Sequence, residues 1–301
     1  MTWAGGLGDL DAWTLSLIFV SAGFYASALV AAGSVPLKLV FRDMPACGQS
    51  VLARQLVIAA WLGISLVLLQ WPLQAAFLGG GTVASAFDPF LLAVIFESAQ
   101  GNRILLAVSG LVLLHAALLE RGRIGFAAPV LGLLGAVLVL LAFVQVGHTR
   151  DEPRWLLGGL LLLHLAAVAF WIAALIPLHR LARSANDDRA TARLLAQFGR
   201  IAVGFVGLLL VAGAVLGWML LGGLQPLLTT GYGQVLVVKL LLVATLLAVA
   251  AWNKWRLVPA FERGDATARA RLRRSIRIEM LLVLAILLVT ALMTTTSSPG
   301  G

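Results

Sequence analysis

The fold class that this sequence predicts is all-α: a polytopic membrane bundle of eight transmembrane helices. Three observations predict it. Only 12% of the 301 residues are charged, against about 25% in a soluble domain. Mean hydropathy is +1.00. Several apolar runs exceed the roughly 20 residues that a helix needs to cross a bilayer. Such a chain packs its helices in lipid and not around a water-driven core.

The spans are expected at roughly 12–33, 51–71, 102–119, 124–147, 154–178, 198–221, 233–255 and 275–296. The first is expected to stay in place as a membrane helix. The eleven residues before it hold no Lys or Arg and include Asp9 and Asp11, whereas a signal peptide opens on a basic region. The stretch 72–101 is too short and broken to span. Its "LGGGT" followed by "FDPFLLAVIF" reads as a loop with an interfacial piece, the usual fate of apolar runs of about ten residues. The sixth span contains "VGFVGLLLVAGAVLGW", with Gly213 and Gly217 four apart. That spacing lets helices approach closely, and packing is the expected role.

The connections after the first, third, fifth and seventh spans, with their flanks, hold eighteen of the 22 Lys and Arg. Basic excess marks the cytoplasmic side. Both termini are therefore expected to face outward. The net charge of +9 reports topology, with some contact to anionic headgroups, and does not point to nucleic acid. The longest basic connection, 256–274, carries no phosphate-cradling loop and no Gly-x-Ser-x-Gly elbow. No nucleophile, base and orienter stand together, so an enzyme is not expected. One cysteine, Cys47, excludes a disulfide within the chain.

Ionisable residues at membrane depth are costly and count as functional candidates. They are His115, His164, Lys239 and Glu279, with His148 and His179 at span ends. From the helical rise, His164 lies roughly 15 Å from the outer face and Lys239 roughly 9 Å. Lys239 and Glu279 are thus expected not to pair, and Glu279 is better placed for Asn253 or the basic loop. Each residue has an ordinary alternative: a histidine donating to a neighbouring carbonyl, a lysine snorkelling outward, a glutamate anchoring a loop. Met219 and Met293 lie near the outer ends of their spans, in the same half as His148, Tyr232 and Lys239. Imidazole suits copper in either oxidation state, and thioether suits Cu(I). Met44 and Cys47 form a weaker inner pair. A bis-histidine haem between His115 and His164, which lie at similar depth, remains open at this point.

From the fourth span onward the sequence resembles the copper resistance protein D (CopD) family. Three stretches carry it: "GHTRDEPRWLLGGLLLLHLAAVAFWIAALIPL", "LTTGYGQVLVVKLLLVATLLAVAAWNKWRLVP" and "RRSIRIEMLLVLAILLVTALMTTTSSP". The chain then divides into 1–122, three helices with the long outer loop, and 123–301, the CopD-like helices. The resemblance places His148, His164, Trp171, Tyr232, Lys239, Asn253 and Glu279 on family motif positions. It implies copper import across a bacterial inner membrane, with a separate periplasmic copper-binding partner of the CopC type. A non-transporting assembly role is the alternative. Many members carry a histidine in the first helix, where this chain has "DAWTLSLIFVSAGFYASAL". The expected path runs from His148 at the outer face to His164 near the midplane, with Met219 and Met293 at the mouth.

Overall fold

The computed structural model describes residues 11–119, 127–147, 153–183, 188–221, 223, 225–265 and 267–296. Helix α1 is Ala12–Val40 and α2 is Ala46–Leu78. Two short helices follow, α3 Val83–Ala86 and α4 Pro89–Glu97. Helix α5, Ala99–Leu113, runs on into a 3-10 segment, Leu114–Leu118. Next come α6 Ala127–Val144, α7 Arg154–Leu181 and α8 Asp188–Leu221. After the short α9, Gln225–Thr229, α10 covers Gly231–Trp252. It continues through a π-helical turn, Asn253–Leu257, into α11, Val258–Glu262. Helix α12 is Ala268–Thr296. Eight of these helical stretches are long and apolar enough to cross a membrane, as the sequence predicts, and no strand occurs among the described residues.

The helices outrun their predicted spans. Helix α2 begins at Ala46 and ends at Leu78, where apolarity alone suggests 51–71. Helix α12 begins at Ala268, inside the arginine-rich run. Apolarity marks the lipid slab. Alanine, leucine and arginine are good helix formers in water too, so the helix outlasts the slab. Pro36, Pro72 and Pro177 lie inside helices. In a bundle, neighbouring groups compensate the backbone bonds that proline removes.

The longer α2 shortens the outer loop, and helix fills most of what remains. Asp88 caps α4 by accepting from the Phe90 and Leu91 amides at 2.8 and 3.2 Å. Trp71 of α2 holds α4 down through Nε1, which donates to the Leu92 carbonyl at 2.9 Å. No residue of α4 is buried, and Phe90 is 73% exposed. An apolar helix without protein cover on its far side fits the expected interfacial piece.

Helix α1 is the hub, packing on α2, α6, α7 and α12. A β-carbon on Gly33 would run into the Ala169 carbonyl of α7, so only glycine permits this crossing. Polar side chains stitch the same helices together. Gln55 of α2 donates to the Ser34 hydroxyl at 3.0 Å and to the Ala173 carbonyl at 2.9 Å. Gln70 donates to Ser21 at 3.2 Å. Lys38, at the end of α1, donates to the Ala117 carbonyl beyond α5 at 2.7 Å. Helices α8 and α10 are the least buried of the eight. The first packs on α7 and the second on α12, and the gap between them is where the chambers lie.

Candidate functional site

Two cavities lie among α7, α8, α10 and α12. The chamber on the side expected to face outward, about 410 Å³, lies toward the α8–α9 end and is lined by His164, Lys239, Gly213 and Gly217 among apolar side chains. The inner chamber, about 340 Å³, is lined by Glu279, Asn253, Lys254 and Gly199. Trp171 and Leu247 line both. Trp171 is therefore a partition between a chamber with an imidazole and a chamber with a carboxyl.

His164 answers the question its depth raises. One ring nitrogen donates to the Leu209 carbonyl of α8. The other, Nδ1, is buried and has no hydrogen-bond partner. A backbone acceptor on one nitrogen fixes the tautomer and leaves the other lone pair free, which is how metal-bound histidines are usually held. A β-carbon on Gly213 would stand 3.4 Å from both Nδ1 and Cε1. Gly213 therefore leaves the side of the ring that carries Nδ1 free of a neighbouring side chain from position 213. The packing role expected for this glycine pair is corrected here: Gly217 has no atom within 4 Å of its β-carbon position, and both glycines face the chamber. The ammonium of Lys239 acts electrostatically on His164, so the two share the chamber and Lys239 is not simply turned to the surface.

Glu279 is 5% exposed. Asn253 Nδ2 donates to its Oε1, and Trp171 Nε1 donates to its Oε2 at 3.4 Å. The expected Glu279–Asn253 contact is present, and Trp171 joins it. The π-helical turn begins at Asn253; such turns are rare and often sit at functional sites.

The other expected residues separate from these. His148 lies outside the described residues. Met293 is buried against Tyr232 and Val235 in a small apolar cluster, and Met219 is half-buried. Neither lines the chamber that holds His164. Both sit near the ends of their helices, and packing takes the Met293 thioether. Met44 is buried in the core while Cys47 is exposed, so the pair does not face one way. His115 packs on Trp61, with ring centroids 5.9 Å apart, and its Nδ1 meets the Leu111 carbonyl at 3.1 Å. It does not line the His164 chamber, so these two rings do not flank a common haem. Among the described residues, no three His, Cys, Asp or Glu side chains gather as a metal site. Helix α1 lines neither chamber, so the absence of a histidine there leaves both chambers unaltered.

Arg103 escaped sequence reasoning, which counted it as an outer-face charge. It is 4% exposed, and its guanidinium lies 4.9 Å from the Phe24 ring centroid and 5.9 Å from that of Tyr25. Only its place two residues inside a predicted span hinted at burial.

Eight apolar helices, with a few polar side chains facing chambers among four of them, define a polytopic helical membrane protein. Residues 192–293 match the family model described as copper resistance protein D. Over 252 residues it is 29% identical to the "Copper transport protein CutJ" of Bacillus subtilis (strain 168), covering 80% of this chain and 44% of that protein. The chain thus spans less than half the length of the curated relative it matches. No solved structure matches.

Proposed function

We propose that the chain carries copper ions across a bacterial inner membrane, from the periplasmic side inward, along the chambers between α7, α8, α10 and α12. The observation that carries this reading is the buried, unpartnered Nδ1 of His164 beside a chamber at membrane depth. The matching family is described by copper resistance and the relative by copper transport, which supports copper as the cargo. His164 is the intramembrane ligand. A single imidazole with no second ligand beside it binds weakly. Weak sites in sequence suit passage, which requires entry and release.

His148 serves capture at the outer face, and Met293 and Met219 lie toward that mouth and outside the chamber itself. Tyr232 packs on Met293 and positions it. The ammonium of Lys239 beside His164 opposes a cation that lingers, which favours onward release. A periplasmic copper-binding protein or domain of the CopC type delivers the ion. The basic connections face the cytoplasm, and both ends of the described chain face outward.

The test is copper uptake into proteoliposomes holding the purified chain, beside empty liposomes. Uptake above the empty control is expected, and His164→Ala is expected to lower bound copper and uptake about tenfold or more, the usual scale for losing a ligand's support. Normal copper occupancy in the His164→Ala protein would falsify His164 as the ligand. Copper that binds but is not taken up would replace transport with the assembly role.

A further inference from the structure

The inner chamber has a different chemistry from the outer one. Among the described residues, no His, Cys or Met lines it. It holds a carboxyl, Glu279, whose hydrogen bonds come from Asn253 and Trp171, both uncharged. A buried carboxylate without a cation is costly, and charged groups inside membrane spans are functional candidates for that reason. Asn253 is 7% exposed, and its Oδ1 is buried without a partner. The residue thus brings a donor that is in use and an acceptor that is idle. Turning the amide over exchanges them. One side chain then holds the carboxylate through Nδ2 and the carboxylic acid through Oδ1.

We propose that Glu279, held by Asn253 and Trp171, is a proton-exchange site of the inner chamber, and that its proton moves in exchange with the cation handled at His164. The exchange half rests on the transport reading above; the proton site does not. Ca²⁺ takes about six to eight oxygen ligands. Among the described side chains this chamber offers the two oxygens of Glu279 and one of Asn253, enough for a proton. Uptake forms one O–H bond on the carboxylate, and release breaks it; no electron moves. Among the described residues, Lys254, on the π-helical turn, is the one other charged side chain lining the chamber, its stem passing Gly199 of α8. The residues that α7, α8 and α11 contribute are uncharged, as are Leu272 and Ile276 of α12 itself, and α1 contributes none. Trp171, bonded to Glu279 and facing the His164 chamber as well, is the physical link between the two sites.

The first experiment uses the copper-free full chain in liposomes. Infrared difference spectra are recorded between acid and alkaline buffer, and separately between sodium and choline buffer at one pH. A protonated-carboxyl band is expected in the pH pair alone. Glu279→Gln removes it, and Glu279→Asp keeps it at a shifted frequency, which preserves the test should the glutamine variant fold poorly. A pH pair without any band that depends on residue 279 overturns the proposal, and so does a band that answers to sodium and not to pH. The coupling is then read from copper uptake driven by a pH step. Glu279→Gln is expected to lose the response to pH while keeping the copper bound at His164. Uptake that ignores the pH step in the unaltered chain overturns the coupling. If no uptake occurs at all while the band is present, the transport reading fails and the proton site stands.

Discussion

Gly213 shows how much a single absent atom does. A methyl there would sit 3.4 Å from His164 Nδ1, in ordinary contact with the ring, so a helix with alanine at this position still packs. The same methyl occupies the space into which a metal on Nδ1 would protrude. Gly213→Ala is therefore expected to leave thermal stability within about 0.5 kcal/mol while lowering copper binding severalfold, read by metal analysis and by melting of the same sample. Equal copper occupancy in both proteins would mean that the free nitrogen is not the ligand. Arg103 teaches the converse lesson. Its sequence position places it near a span end, and only the packing of Phe24 and Tyr25 around its guanidinium reveals a buried cation. Gln55 and Gln70 are alike in this respect: polar but not ionisable, they draw no notice in the sequence, yet they join α1, α2 and α7.

At the scale of elements, the crossing of α1 and α7 depends on Gly33. The added β-carbon would collide with the Ala169 carbonyl, a backbone atom that has no rotamer by which to move aside. Gly33→Ala is expected to destabilise the bundle by about 2 kcal/mol, the range seen for overpacking, measured as a lower melting temperature in detergent. A melting point equal to the parent's would show that the two helices part without cost. The element boundaries were legible to within a turn or two where apolarity and helix coincide, as for α6 and α7. They failed where the helix runs on past the lipid slab, as in α2, α8 and α12. The π-helical turn at Asn253–Leu257 has no signature in composition; it depends on how α10 and α11 seat against α8 and α12.

The whole molecule is asymmetric in its packing. Helix α1 gathers α2, α6, α7 and α12 about itself, whereas α8 and α10 stand apart and leave the two chambers between them. Both chambers thus lie in the looser half, where side chains have room. Orientation is a property of this scale, and the chain carries its own probe. Cys47 is exposed at the start of α2, in a connection that the basic residues assign to the cytoplasm. A membrane-impermeant maleimide is expected to label it only after cells are opened. Labelling of intact cells would invert the topology, and with it the direction of the proposed transport.

The sequence by itself determined the class: eight apolar helices, the uneven distribution of the basic charge, and the short roll of residues too polar for their depth. These are sums over many residues, and lipid enforces them one span at a time, because each span must satisfy its own backbone. Which polar residues meet was decided by tertiary structure alone. Lys239 shares the His164 chamber and Glu279 takes Asn253 and Trp171, while Met293 turns into an apolar cluster with Tyr232. A residue's depth follows from its place in a span. Its direction around the helix follows from the neighbours, and four helices distant in sequence must pack before a chamber exists for any of these side chains to face.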